Sequence, residues 1–247
     1  MRVLSIVHQT DAAAGVFAAA VVDAGHEHEE WLISEVARPP APIESYGAVL
    51  VFGGAMHVDQ EERHAWLADE HRLLQDLVAG EVPVMGVCLG GQLLAKALGG
   101  KVRRLPSPEI GWADVDLTSE AKDDPVFGGL PERFTSYQWH LYHFELPEGA
   151  VPLARNERCL QAFRAGRAAW GIQFHAEITH EDAVDWARSF DPAEDGPVDV
   201  PRLLGQTEEL IAGWNDFGRE LCGRFLTAAE ASRPAAGATT RATSPHS

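Results

Sequence analysis

Over the first hundred positions, apolar and polar residues follow two patterns, and these two patterns alternate along the chain. Short, continuous apolar runs rich in β-branched residues have the length of strands buried on both faces. Between them lie amphipathic stretches with helical spacing, most of which end at glycine. The predicted elements are strands at 2–8, 28–33, 48–54 and 82–87, and helices at 11–24, 61–79 and 92–98. The alternation of strands and helices through the first hundred residues predicts a parallel sheet.

The pattern changes in the second half of the chain, where short strand candidates follow one another between turn residues. Such spacing is typical of β-hairpins. The predicted elements are strands at 112–117, 133–139, 151–154, 160–163 and 168–175, helices at 180–190 and 202–231, and an acidic loop at 191–201. We therefore predict an α/β fold: an open, mostly parallel sheet with helices on both faces and appended hairpins. Residues 1–231 are expected to form one domain, and 232–247 a disordered tail.

The composition of the chain disfavours several classes of partner and of site. The chain has 247 residues, with 37 acidic against 20 basic side chains and a formal net charge of −17, which disfavours nucleic acid as a partner. No run of apolar residues is long enough to span a membrane. Its three cysteines, Cys88, Cys159 and Cys222, form no C-x-x-C pair, so we expect neither a disulfide framework nor a zinc cluster. A cytoplasmic location is expected, with Cys159 and Cys222 as packed thiols.

Cys88 lies between glycines, directly after the apolar run at 82–87. The sequence Gly86-Val87-Cys88-Leu89-Gly90 has the spacing of a nucleophile elbow, a strained turn from strand to helix whose neighbours must be small. The turn would place the thiol at the positive end of the next helix, which favours a thiolate. The alternative is a buried cysteine beside glycines that serve helix and sheet packing.

A histidine and a glutamate follow the last predicted core strand. In the segment GIQFHAE, His175 ends the strand and Glu177 lies two residues further on. Residues i and i+2 of an extended chain project to the same side, so Glu177 can orient the imidazole of His175. Such a pair would give Cys88 the proton carrier that a thiol nucleophile needs. Taken alone, however, H-x-E is also a common polar pair in loops.

Together, GVCLGGQLLA and GIQFHAE resemble the motifs of the class I, or triad, glutamine amidotransferase family. The resemblance covers about residues 1–190 and implies the flavodoxin-like fold of that family. It also implies a catalytic triad of Cys88, His175 and Glu177 that attacks the side-chain amide of glutamine. By the same resemblance, the N–H groups of Gly54 and Leu89 would form the oxyanion hole.

The resemblance also implies several substrate-binding residues. Gln92 occupies the position of the family's substrate-contacting glutamine, and Gly53 adjoins the oxyanion loop. The segment at 136–150 is similar to free-standing members related to the glutaminase part of GMP synthase. It contains Trp139 and His140 next to the expected pocket. For His140 two interpretations stay open, a pocket wall or a histidine that only hydrogen-bonds the strand edge.

Three hypotheses about function follow from this resemblance. The first is a glutaminase that passes ammonia to a separate synthase or acceptor subunit, since the chain contains no nucleotide-binding G-x-x-x-x-G-K-[ST] loop. The second is a stand-alone hydrolase of γ-glutamyl amides or peptides. The third is a non-catalytic binding or regulatory subunit, which the intact set of Cys, His and Glu disfavours. The ligand is expected to be glutamine or another small γ-glutamyl molecule, with no metal or cofactor.

Overall fold

The computed structural model describes residues 1–190 and 197–232. Within these residues, nine strands form one sheet that five α-helices flank. The strands are β1 Arg2–Val7, β2 Glu27–Leu32, β3 Ala48–Val51, β4 Val84–Val87, β5 Val102–Leu117, β6 Arg133–Phe144, β7 Val151–Arg155, β8 Leu160–Ala165 and β9 Ala169–Ile172. The helices are α1 Gly15–Asp23, α2 Trp66–Ala79, α3 Leu89–Ala97, α4 His180–Ser189 and α5 Val200–Ser232.

The sheet has a parallel half and an antiparallel half. Its strand order is β2-β1-β3-β4-β9-β8-β7-β5-β6. The first five strands in this order run parallel, and each remaining neighbour pair is antiparallel. This arrangement confirms the predicted α/β class with appended hairpins. The carboxyl ends of β1, β3, β4 and β9 meet at one edge, where open α/β sheets bind ligands.

Two hydrophobic cores lie on opposite faces of the parallel half. Along β1, Val3 and Val7 contribute to the core under α1 and α5, whereas Leu4 and Ile6 contribute to the core under α2 and α3. Successive side chains of a strand point to opposite faces, and here both faces are covered. Double burial explains why β3, β4 and β9, which are buried at every position, are apolar throughout.

Strands β5 and β6 are longer than predicted. The sequence indicated strands at 112–117 and 133–139, but β5 begins at Val102 and β6 continues to Phe144. The added part of β5 contains Pro106 and Pro108, and proline donates no ladder hydrogen bond. Both prolines fall where the β5–β6 register shifts between Arg104 and Glu109, so the irregularity accommodates them.

Other boundaries differ by a few residues. Helix α1 begins at Gly15 rather than near residue 11, and α5 begins at Val200, inside the predicted acidic loop. The rest of that loop at 191–196 and the predicted tail from 233 onward lie outside the described residues. No helix in the described ranges is both long and apolar enough to cross a membrane.

Candidate active site

The turn between β4 and α3 has the strained geometry predicted for a nucleophile elbow. Cys88 has φ 51° and ψ −108°, and Glu81 is the one other non-glycine residue with positive φ in the described chain. A Cβ on Gly86 would lie 2.4 Å from the carbonyl carbon of Gly90, and one on Gly90 would lie 2.1 Å from the oxygen of Val51. Both glycines are therefore required by close backbone approach, as predicted.

His175 and Glu177 form a buried pair just beyond β9. The Nδ1–H of His175 donates to Oε1 of Glu177 at 2.7 Å, and the two residues are 2% and 3% exposed. Within the described residues, the His175 Nε2 has no hydrogen-bond partner. Burial opposes protonation of the ring, yet the charges of Glu177 and Cys88 raise the pKa of His175 well above its ordinary value.

The loop that carries this pair is held from three sides. The N–H of His175 donates to the carbonyl of Tyr137 at 2.9 Å, and the indole N–H of Trp214 donates to the carbonyl of His175 at 2.8 Å. The carbonyl of Glu177 accepts from the N–H of Val16, at the start of α1, at 2.8 Å. Helix α5 thus supports the site through Trp214, a role that the amphipathic pattern of the helix did not reveal.

Cys88, His175 and the glycine loop after β3 converge on one point. A Cβ on Gly53 would lie 3.1 Å from Cε1 of His175 and 3.9 Å from Cβ of Cys88. Gly54 lies beside Leu89, since a Cβ there would be 3.1 Å from a methyl carbon of Leu89. Neither the N–H of Gly54 nor that of Leu89 has a backbone acceptor among the described residues. Two unpaired donors therefore lie next to the thiol.

The site opens into a cavity of about 360 Å³ at the carboxyl edge of the sheet. Most of the residues predicted for the site line it, namely Gly54, Cys88, Leu89, Gln92, Trp139, His140 and His175. Gly53 and Glu177 lie directly behind this wall. Sequence reasoning missed further lining residues, among them Gln9, Asp11, Trp186 and Phe190. Trp186 and Phe190 carried no motif, and only the fold brings them to the cavity.

An aromatic wall covers the side of the cavity next to His175. The ring of Trp186 packs edge-on against His175 with centroids 4.9 Å apart. Trp139 packs against Trp186 at 5.8 Å and against Phe190 at 6.3 Å. The carbonyl of Trp139 lies 3.9 Å from the sulfur of Cys88. Aromatic rings therefore bound the part of the cavity beside the imidazole of His175.

Gln92 is fixed within the wall of the cavity. Its amide nitrogen donates to the carbonyl of Tyr142 at 2.9 Å and to Oε1 of Gln173 at 3.3 Å. The Nδ1–H of His140 donates to the same Tyr142 carbonyl at 3.0 Å. His140 therefore lines the cavity and, in addition, bonds a carbonyl of its own strand.

His140 belongs to a second group that contains a cysteine, a histidine and a glutamate. Its Nε2 lies 3.0 Å from Oε2 of Glu109, and the sulfur of Cys159 lies 4.0 Å from that same oxygen. Asn156 and Gln161 donate to Glu109 at 2.7 and 3.2 Å, and Gln161 also reaches the sulfur. We call Glu109, His140 and Cys159 the strand cluster.

The donor atoms of the strand cluster lie within 4.8 Å of one another, close enough to ligate one metal ion. Burial and the carboxylate of Glu109 raise the pKa of Cys159 to about 12, which keeps it a thiol. Because protein hydrogen bonds already occupy the donor atoms, the cluster forms a polar network. Cys159 was predicted to be a packed thiol, but it is half-buried against these polar groups.

The family model for class I glutamine amidotransferases matches residues 17–186, more than half of the chain. The chain belongs to the class I glutamine amidotransferase family. The match includes Cys88, His175 and Glu177 and confirms the family resemblance of the two sequence motifs.

Individual relatives agree with this assignment. The chain is 28% identical over 219 residues to the glutamine amidotransferase-like protein YfeJ of Salmonella typhimurium, covering 87% of this chain and 91% of YfeJ. It is 35% identical over 123 residues to one subunit of the glutamine-hydrolysing GMP synthase of Pyrococcus abyssi. That alignment covers 48% of this chain and 64% of the Pyrococcus protein.

A solved structure shows the same fold. The crystal structure of a glutamine amidotransferase from Thermotoga maritima superposes with a TM-score of 0.83 at 30% sequence identity. The superposition covers 92% of this chain and 98% of the Thermotoga chain. The glutamine amidotransferase fold that the motifs predicted is therefore confirmed over 92% of this chain.

Proposed function

We propose that this chain hydrolyses the γ-amide of glutamine or of a related γ-glutamyl compound through a triad of Cys88, His175 and Glu177. One observation carries the proposal. The strained thiol of Cys88 lies beside an imidazole whose Nδ1–H is held by Glu177 and whose Nε2 is left without a partner in the described chain. A nucleophile, a proton carrier and its orienting carboxylate are thereby aligned.

The chemistry proceeds in two acyl-transfer steps. The thiolate of Cys88 attacks the γ-carbonyl carbon, and the carbon–nitrogen bond breaks as imidazolium His175 gives its Nε2 proton to the departing nitrogen. Ammonia or an amine leaves, and a γ-glutamyl thioester remains on Cys88. His175 then takes a proton from water, the resulting hydroxide adds to the thioester, and the carbon–sulfur bond breaks to release glutamate. The steps consume one water and need no metal or cofactor.

The unpaired N–H groups of Gly54 and Leu89 are the proposed oxyanion hole. Each tetrahedral intermediate places negative charge on the former carbonyl oxygen next to the thiol. Loss of one such donor typically lowers kcat by about 10²- to 10³-fold. Gly53 leaves room for His175 in this arrangement, since a side chain there would meet the ring.

Substrate binding is assigned to the wall opposite the glycine loop. Gln92, Trp139 and His140 line the cavity, and the side chains of Gln92 and His140 both donate to the carbonyl of Tyr142. A wall that is already ordered binds a small polar ligand without the entropy cost of ordering its own side chains. These residues are therefore proposed to hold the γ-glutamyl part.

The strand cluster is a weaker candidate for the nucleophilic site. Cys159 follows β7 in a turn between strands, so no helix N-terminus lies beside it. Its pKa of about 12 leaves almost no thiolate at neutral pH. Its neighbour Glu109 is already shared with Asn156 and Gln161. These contacts support Cys88 as the attacking sulfur.

The proposed function has two versions, which differ in where the released nitrogen goes. In an amidotransferase, ammonia passes to a separate synthase or acceptor subunit. The likeness to a protein named as one subunit of GMP synthase supports that version. In a stand-alone hydrolase, the amine escapes to solvent. The aromatic wall beside His175 supports the second version, because the proton donor and the leaving group must be neighbours and apolar rings suit an organic amine better than ammonia.

Activity of the purified chain tests the proposal. The chain is incubated with glutamine and with γ-glutamyl amides of ethylamine and aniline, and glutamate release is measured. A chloromethyl ketone analogue of glutamine then identifies the reactive sulfur by peptide mass spectrometry. We expect glutamate release and an adduct on Cys88. An adduct on Cys159 would transfer the role to the strand cluster, and binding of all ligands without turnover would support a non-catalytic subunit.

A further inference from the structure

A second buried histidine–glutamate pair lies behind the glycine loop, and the mechanism above does not use it. The side chains of His8 and Glu70 are both 0% exposed. Nε2 of His8 lies 2.9 and 3.0 Å from the two carboxylate oxygens of Glu70, and Nδ1 lies 3.0 Å from the carbonyl oxygen of Gly53. A histidine–glutamate pair is costly to bury in its charged form, and this pair contacts the Gly53–Gly54 peptide through the carbonyl of Gly53.

The proton positions of His8 follow from its neighbours. A backbone carbonyl can only accept a hydrogen bond, so Nδ1 carries a proton that it donates to Gly53. A carboxylate likewise accepts, so Nε2 donates to Glu70. Burial works against the charged ring, but Glu70 and the carbonyl of Gly53 raise the pKa of His8 overall. Both ring nitrogens of His8 therefore face oxygen acceptors, which favours the protonated form of the ring.

The glycine loop needs external support. Gly53 must lack a side chain because His175 lies 3.1 Å from its would-be Cβ. Gly54 must lack one because His8, Leu89 and Met56 lie 3.1 to 3.2 Å away. Two successive glycines leave the peptide between them free to rotate. A rotated peptide would turn its N–H away from the thiol.

We propose that His8, backed by Glu70, is a positioning residue that fixes the Gly53–Gly54 peptide so that the N–H of Gly54 points at the reacting carbonyl oxygen. In a planar trans peptide, the C=O and the following N–H point in opposite directions. Holding the carbonyl of Gly53 toward buried His8 therefore turns the N–H of Gly54 toward the cavity that Gly54 lines. This inference rests on the proposed oxyanion hole.

Charge on the imidazole adds a second effect. Hydrogen bonds in a chain polarise one another, so a cationic donor on the carbonyl of Gly53 strengthens the N–H of Gly54 as a donor. The surroundings keep the ring in place. Trp66 stacks on His8 with centroids 5.3 Å apart, and the side chain of neighbouring Gln9 accepts from the N–H of Ala55 at 2.8 Å. The end of β1 thus holds both sides of the loop.

The test compares His8→Phe, Glu70→Gln and the control His28→Phe. Phenylalanine keeps the stacking on Trp66 but donates nothing, and glutamine keeps the shape of Glu70 without its charge. His28 is a half-buried histidine of the adjacent strand β2 that bonds Ser5, away from the loop. For each variant, kcat and KM on the best γ-glutamyl amide, the alkylation rate of Cys88 by iodoacetamide and the amide ¹⁵N shift of Gly54 are measured.

We expect His8→Phe to lower kcat by about 10- to 100-fold with KM unchanged, since the donor is displaced rather than removed. Glu70→Gln should give a smaller loss, by about 3- to 10-fold, because the hydrogen bond can persist without the charge. Alkylation of Cys88 forms no oxyanion and should not change. The Gly54 amide signal should move in both variants and stay in place in His28→Phe.

The inference would be overturned by an unchanged Gly54 signal, or by equal losses in turnover and in alkylation, which indicate a general structural defect. If His8→Phe fails to fold, Glu70→Gln decides the question by the same measurements. An inactive wild-type chain would refute the proposed function, whereas the Gly54 signal would still report whether His8 fixes the peptide. A wild-type kcat in both variants of an active enzyme would refute only the positioning role.

Discussion

Among the described residues, a cysteine, a histidine and a glutamate come together in two groups, the proposed triad and the strand cluster. In the proposed triad, Nε2 of His175 has no hydrogen-bond partner in the described chain, and Glu177 holds the opposite ring nitrogen. In the strand cluster, both nitrogens of His140 lie within hydrogen-bond distance of neighbouring polar atoms. The residue types are the same, but only the first arrangement leaves a nitrogen available to move a proton.

The electrostatic surroundings of the two groups also differ, and they too favour the proposed triad. Burial disfavours the charged form of both histidines, but two negative partners raise the pKa of His175, whereas that of His140 is lowered despite Glu109. Cys88 begins a helix at a strained backbone angle, and Cys159 lies between strands with its pKa raised to about 12. Proximity of the three residue types is therefore insufficient, and backbone placement decides which cysteine can react.

The largest expected difference is between Cys88→Ala and Cys159→Ala. We expect Cys88→Ala to lose turnover by at least about 10³-fold because no other group forms the thioester. Cys159→Ala should keep wild-type kcat/KM, since its thiol touches no reacting atom. Glutamate release by both variants is the measurement. Activity in Cys88→Ala together with an inactive Cys159→Ala would reverse the comparison.

The second largest difference in kcat is expected between substitutions of the two glutamates. Glu177→Gln keeps the shape but weakens the hold on the His175 tautomer and its charge, so kcat should fall by about 10²- to 10⁴-fold. Glu109→Gln changes a residue that touches His140 but no reacting atom, and kcat should fall by less than about threefold. Steady-state kinetics at constant pH gives both values, with folding verified by circular dichroism. Equal losses would show that the two carboxylates act together.

Titration of the two histidines sharpens the comparison. Because the charge on Cys88 helps to raise the pKa of His175, Cys88→Ala should lower that pKa, while Cys159→Ala should leave it unchanged. The Cε1–H signals of His175 and His140, followed by NMR against pH, measure both values. An unmoved His175 would mean that Glu177 alone sets its charge state.

Stability should depend on pH with opposite signs for the two histidines. His175 has a raised folded pKa, so its contribution is complete below the unfolded value of about 6.5 and is lost as pH rises through the folded value. His140 has a lowered folded pKa, so its contribution is present above that unfolded value and is lost as pH falls. Urea unfolding of wild type and Cys88→Ala across this range checks the first sign: the loss at high pH should shrink in the variant.

The smallest effect concerns the support of the triad loop. Trp214→Phe removes the hydrogen bond to the carbonyl of His175 and should cost about 1 kcal/mol of unfolding free energy, with a modest loss of kcat. Trp31→Phe is the matched control, because Trp31 lies on β2 and its indole N–H donates to the carbonyl of Val36, outside the triad loop. Urea unfolding and kinetics of both variants are compared. Equal kcat values would show that α5 supports the fold but not the triad.

Particular residues show how far sequence reasoning reached. Local patterns predicted the order of strands and helices, the elbow at Cys88 and the pairing of His175 with Glu177, because each depends on residues within a few positions of one another. Strand β5 was predicted too short because its prolines are tolerated only at a register shift that β6 helps to form. His8, Glu70 and Trp214 carry no local motif.

By itself, the sequence determined the α/β class, the glycine-lined turn and the two motifs that indicate the family. These features follow from side-chain period, glycine sterics and short spacings, which act along the chain. The tertiary structure decided which of two Cys-His-Glu groups has a free imidazole nitrogen, which aromatic rings bound the cavity and which buried ion pair holds the Gly53 carbonyl. Those outcomes depend on contacts between distant segments, such as the 62 positions that separate His8 from Glu70, and only the packing of the whole sheet fixes them.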